Sequence, residues 1–135
     1  MLANELDRSG ERVTDYDGVA DAVPAAVPRV TAVEDPSRSL NGFSYRIGLR
    51  LVTDSAEPFT PEDLDAVAEA VWESLPWEPG TIRLIAVAET DAGRESVDLR
   101  AAARALEPLT VRDAGQDGVT LADMRSRYGA WTPPN

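Results

Sequence analysis

The sequence predicts a two-layer α+β domain, in which helices lie on one face of a four-stranded, mainly antiparallel sheet. Three observations carry this reading. In "FSYRIGLRLVTD" Tyr45, Ile47, Leu49 and Leu51 alternate with Arg46, Gly48 and Arg50, the period of a strand buried on one side and wet on the other. In "FTPEDLDAVAEAVWESLP" Leu64, Val67, Ala68, Val71 and Leu75 recur at helical spacing, so that segment packs one face on a core. The order helix, strand, strand then occurs twice, and "ADAVPAAVP" at Ala20 to Pro28 aligns without gaps on "AEAVWESLP" at Ala68 to Pro76. Two such units, αββ followed by αββ, make a sandwich of ferredoxin-like type or a permutation of it.

Each element has its own local cause. Residues 1–16 are charged and aperiodic and are expected to form a flexible lead-in to a single domain over 17–131, with 132–135 as a tail. Asp17 is a candidate N-cap for a first helix whose stripe is Val19, Ala22, Val23, Ala26 and Val27. Pro24 interrupts that stripe, so the helix either begins late or kinks there, and Pro28 ends it. "RVTAVE" reads as a strand, and Asp35-Pro36 and Asn41-Gly42 supply turn chemistry before its antiparallel partner. The second helix has Thr60 as N-cap, Pro61 in its first position, and Glu62 and Asp63 at the positive end of its dipole. "TIRLIAVAET" is a branched strand, "DAGRESVDL" a turn with a short return strand, and "LRAAARAL" a helix. "LTVRDAGQDGVTL" is expected to form a small hairpin, and "TLADMRSRYG" a closing helix with Thr120 as cap, Leu121, Met124 and Tyr128 inward, and Gly129 as stop.

Composition removes whole classes of chemistry. At 135 residues and 43% hydrophobic the chain can bury a core without staples. It has no histidine, no cysteine and no lysine. That excludes Ser-His-Asp and Cys-His nucleophiles, the usual zinc sites, disulfides, Schiff-base amines and the P-loop lysine. The net charge of −11 opposes binding to nucleic acid or anionic membrane, and would steer a basic partner inward. No apolar run is long enough to span a bilayer, so no membrane insertion is expected of the chain as written. No cofactor and no metal is expected.

Several residues are candidates for a site. If the helices cover Tyr45, Ile47 and Leu49, then Arg46 and Arg50 project from the opposite face, with Arg83 beside them: a surface for a partner or a carboxylate, or arginines salt-bridged to local glutamates or covered by the C-terminal segment. Asp65, Glu69 and Glu73 stand at i+4 spacings on the outer face of the second helix: a docking stripe for a basic partner, a divalent-cation site, or a solvated acidic face. Asp113, Asp117 and Gly118 partly match a calcium loop, but Gly115 and Met124 occupy ligand positions, so a plain turn is expected. Trp72, about 80° from the stripe centre at ~100° per residue, is expected to sit half covered on its shoulder. With Trp77 it would cap the end of the core rather than form a stacking platform.

The alanine-rich helix ending in "AAVPRVTAV", then "NGFSYRIGLRLVTD", "AVWESLP", "VDLRAAARAL" and "RYGAW" resemble a loose group of small exported or lipoprotein-like α+β proteins of high-GC Gram-positive bacteria. The resemblance implies an extracytoplasmic location if an N-terminal signal has been removed; otherwise the chain is expected in the cytoplasm. It supplies no catalytic residues, and no lipidation cysteine is present. The expected function is a non-enzymatic protein-interaction module. The alternatives are an immunity or inhibitor protein for a basic toxin, and a carboxylate-based hydrolase or divalent-metal enzyme using a pair among Asp65, Glu69, Asp113 and Asp117. Calcium titration is expected to leave the melting temperature unchanged; a rise of several degrees would contradict the plain-turn reading.

Overall fold

The structure, a computed structural model, describes residues 16–134. Helix α1 (Asp17–Ala26) leads into the hairpin β1 (Val30–Asn41) and β2 (Ser44–Thr53). Helix α2 (Pro61–Ser74) connects to a second hairpin, β3 (Pro79–Thr90) and β4 (Gly93–Val97). Short α3 (Arg100–Arg104), a third hairpin of β5 (Thr110–Asp113) and β6 (Val119–Ala122), and α4 (Met124–Tyr128) follow. The element order is the one expected, and β1 and β2 do pair antiparallel.

The sheet corrects the expectation. It has six strands and is mixed: β2 and β3 run parallel, in the order β1-β2-β3-β6-β5, and β4 also pairs with β3. The cause is α2, since a helical crossover returns the chain to the end from which the previous strand started. The extra strands follow from the shortness of β4. It pairs only with Ala86 to Thr90, which leaves Thr81 to Leu84 of β3 open to β6. Two strands therefore share one edge of β3, end to end.

The four helices of the described residues all contribute to a single core on one face. Val19, Val23 and Val27 of the first stripe meet Leu64, Val67, Val71 and Leu75 of the second, over Ile47, Leu49, Leu51, Ile82, Leu84 and Ala86 from the central strands. Thr60 caps α2, its hydroxyl accepting from the Asp63 amide at 3.1 Å. Arg29 pins the β2–α2 connection by donating to the carbonyls of Ser55 (3.0 Å) and Glu57 (2.7 Å), with its guanidinium 4.5 Å from the Phe59 ring centre. Pro24 leaves α1 continuous and lies near its end, where little of the ladder is lost.

Three local expectations are corrected. Tyr16, not Asp17, occupies the N-cap of α1, with no side-chain cap bond. Thr120 belongs to β6 rather than capping the last helix; Leu121 is buried from that strand, and α4 starts at Met124 after Asp123. Trp72 is buried at 3% exposure as a member of the core, against which Tyr128 and Trp131 also pack. The flexible lead-in expected over 1–16 lies outside the described residues except for Tyr16.

Where β6 runs up to β3, contact is close. A Cβ on Gly118 would stand 2.4 Å from the Leu84 carbonyl oxygen and 3.0 Å from Ile85 Cγ1, and the oxygen belongs to backbone that cannot rotate away. Gly118→Ala is therefore expected to destabilise the domain by about 1–3 kcal/mol, measured as a lower urea midpoint. An unchanged midpoint would contradict this packing.

Candidate functional site

The sheet face away from the helices carries the even-numbered residues of β2 and the odd-numbered residues of β3. It contains Arg46, Arg50 and Arg83, as expected, but gives them three different tasks. Arg50 donates to Asp35 at 2.5 Å and lies 3.9 Å from Glu34. Arg94 of β4 reaches the same Glu34 with two parallel bonds of 2.8 and 2.9 Å. That pair joins β4 to β1 across β2 and β3, so the four strands curl into a trough. The bulge between Glu34 and Ser37, with Asp35 at φ 51°, bends β1 accordingly. Beside this clasp Val52 and Ile85 are 1% and 7% exposed. The arginine lowers the Glu34 pKa below the carboxylate norm and the glutamate raises that of Arg94.

Arg83 is half-buried and donates to the Ala114 carbonyl at 3.2 Å, holding the β5–β6 turn against the sheet. Arg46 remains at the other end of the trough, where its Nε donates to Ser39 Oγ at 3.3 Å. There Arg46, Thr81, Ala122 and Thr110 form one row across β2, β3, β6 and β5, and Gly48, Arg83, Thr120 and Arg112 form the next. The small residues make the floor of a depression of about 460 Å³ lined by Arg46, Thr81, Thr110, Arg112, Thr120 and Asp113. Arg112 was not singled out in the sequence. Its signal was the alternation Thr110-Val111-Arg112, which puts it on the same face as Arg46 once β5 is known to join the sheet.

On the helix side of this same end, the strands build an aromatic corner. Parallel pairing sets Tyr45 opposite Pro79, and the Tyr45 and Trp77 rings meet edge to face at 5.9 Å. The guanidinium of Arg38 lies 4.3 Å from the Tyr45 ring and 5.5 Å from Trp77. Leu40, Phe43 and Tyr45 are the large hydrophobic residues exposed among those described, at 68%, 110% and 41%. They all sit at the β1–β2 hairpin. Trp77 thus serves the surface as well as the core, whereas Trp72 is purely interior.

The acidic stripe is not brought together as a site. Asp65 is bound by Arg127 through bonds of 2.8 and 2.9 Å and accepts from the Tyr128 hydroxyl at 2.7 Å, while Glu69 and Glu73 are exposed. Asp113 pairs with Arg104 at 3.4 Å and Asp117 with Arg100 at 3.1 Å. The described residues contain no cluster of three or more metal-ligating side chains.

The Arg127 guanidinium, and then the Tyr128 hydroxyl, hold the Asp65 carboxyl below the usual carboxylate range, against the opposing effect of its own burial. Since the folded state binds the proton less readily than the unfolded one, this pair's stabilisation is present above pH ~4 and is lost as pH falls through the folded value. In acid titrations of stability, Asp65→Asn is expected to lose part of the wild-type slope below pH 4; superimposable slopes would contradict the pairing. Comparison of the chain with models of protein families, with curated proteins and with solved structures gives no match.

Proposed function

We propose that the protein is a non-enzymatic binding module that docks an acidic segment of a partner protein against the aromatic corner at the β1–β2 hairpin. The observation that carries the reading is where its unpaired cations stand. The chain has 24 acidic and 13 basic residues, so an arginine has acidic neighbours to choose from. Yet among the described residues Arg38, Arg46 and Arg112 contact no carboxylate, and all three lie at the end of the sheet where β2 and β3 begin. The remaining described arginines are held by carboxylates or by backbone carbonyls. Leu40 and Phe43 beside Arg38 supply apolar area of the kind that marks interaction surfaces.

A partner segment with carboxylates between apolar side chains fits both features: acids on Arg38, apolar groups on Leu40, Phe43 and Tyr45. The alternative of a basic partner draws on the net charge of −11 and on the acidic stripe; within the stripe Asp65 is already neutralised by Arg127.

Selection from a random peptide display library tests this. Enriched peptides are expected to combine Asp or Glu with aromatic or aliphatic residues and to bind at least tenfold more weakly to Arg38→Gln and to Phe43→Ser. Peptides indifferent to both substitutions would overturn it. So would tight binding of the protein to phosphatidylglycerol vesicles that Phe43→Ser abolishes, since the hairpin would then be a membrane-inserting tip.

A further inference from the structure

The depression on the other side of β2 is a separate feature, and we infer that it binds a small organic anion with an acidic group at each end, such as a dicarboxylate. This does not rest on the docking of a partner at the hairpin. Its volume of about 460 Å³ lies within the range of small-molecule sites, about 300–1,000 Å³. Its charged walls are Arg46 on β2 and Arg112 on β5. Those strands are three places apart in the sheet, with backbones roughly 14 Å apart at ~4.8 Å per strand, so a ligand with an acidic group at each end meets both arginines without either side chain having to fold over the floor. A molecule with two acidic groups engages both.

The floor between them suits the middle of such a molecule. Thr81, Thr120 and Ala122 are short, so the chain of the ligand can lie close to the sheet. Thr81 Oγ1 has no hydrogen-bond partner in the protein, an arrangement that costs stability; because it is also shielded from solvent, a ligand bonds it only by displacing what covers it. Thr110 is differently placed, its hydroxyl bonded to Asp123. Asp113, the acidic residue of the lining, is drawn toward Arg104. Arg46 keeps both terminal nitrogens available, having spent only Nε on Ser39, and two terminal nitrogens are what a carboxylate takes from a guanidinium. Arg83 stands in the row between Gly48 and Thr120; it is turned to the Ala114 carbonyl and adds positive potential near the depression without lining it.

Arginine Nε–H resonances followed by NMR during titration with acetate, inorganic phosphate and α,ω-dicarboxylates from succinate to suberate decide the matter. One dicarboxylate length is expected to saturate with Kd at least tenfold below that of acetate, shifting Arg46 and Arg112 but not Arg125. Arg46→Gln and Arg112→Gln should each weaken it at least tenfold, and Thr81→Val severalfold, with dispersion of the spectrum retained as evidence of folding. Shifts that are equal for acetate and every dicarboxylate, or unaffected by the two arginine substitutions, would overturn the inference. Saturation by phosphate alone would overturn the two-ended ligand.

Discussion

The parallel pairing of β2 with β3 is the constraint on which the rest of the structure depends. Helix α2 carries the chain from the end of β2 back to its beginning, so Tyr45 and Arg46 come to lie beside Pro79 and Thr81. Had the two strands been antiparallel, Tyr45 would have faced the far end of β3, and the Trp77 corner would have stood about nine residues of strand away, roughly 30 Å. One topological choice therefore produces the aromatic corner on one face and the depression on the other. The same crossover leaves β3 with a free edge that β4 fills only at its far end, and β6 with β5 completes the depression.

Charge is distributed by the same geometry. Where strands or helices must be held at an angle, arginine and carboxylate are paired: Arg94 with Glu34 across the trough, Arg127 with Asp65 between α4 and α2, Arg100 and Arg104 with the aspartates of the β5–β6 turn. These exposed or half-exposed pairs are screened by solvent and contribute little to stability, so their role is to orient surfaces that the apolar core already stabilises. The arginines left over stand at the beginning of β2 and β3. In a chain so rich in carboxylates, cations left without them lose little as folding elements and are available to a ligand.

Much of this is legible from the amino acids. The stripe of Leu64, Val67, Val71 and Leu75, the Thr60 cap and the alternation through Arg46 to Leu51 each state a local preference strong enough to survive tertiary context. The partner of each strand is not local. Nothing within "TIRLIAVAET" says whether Ile82 will meet Ile47 or the far end of β2, and that decision lies in the length of the crossover. For the same reason Arg46 and Arg50 could be placed on one face by parity, but not separated into a ligand wall and a salt-bridge clasp. Arg112 stayed hidden because a four-residue strand such as β5 joins the sheet only through its partner β6. Helical projection puts Trp72 on the shoulder of its stripe because it takes no account of Tyr128 and Trp131, distant in sequence, which pack against the same core.

Backbone NOEs measure the direction of β3 against β2 directly. In a labelled sample, amide and Hα contacts between β2 and β3 should ascend together, Ile47 with Ile82, Leu49 with Leu84, Leu51 with Ala86, and the Tyr45 ring should show NOEs to the Trp77 indole. Contacts that descend along β3 as they ascend along β2, with no Tyr45 to Trp77 NOE, would contradict the parallel pairing.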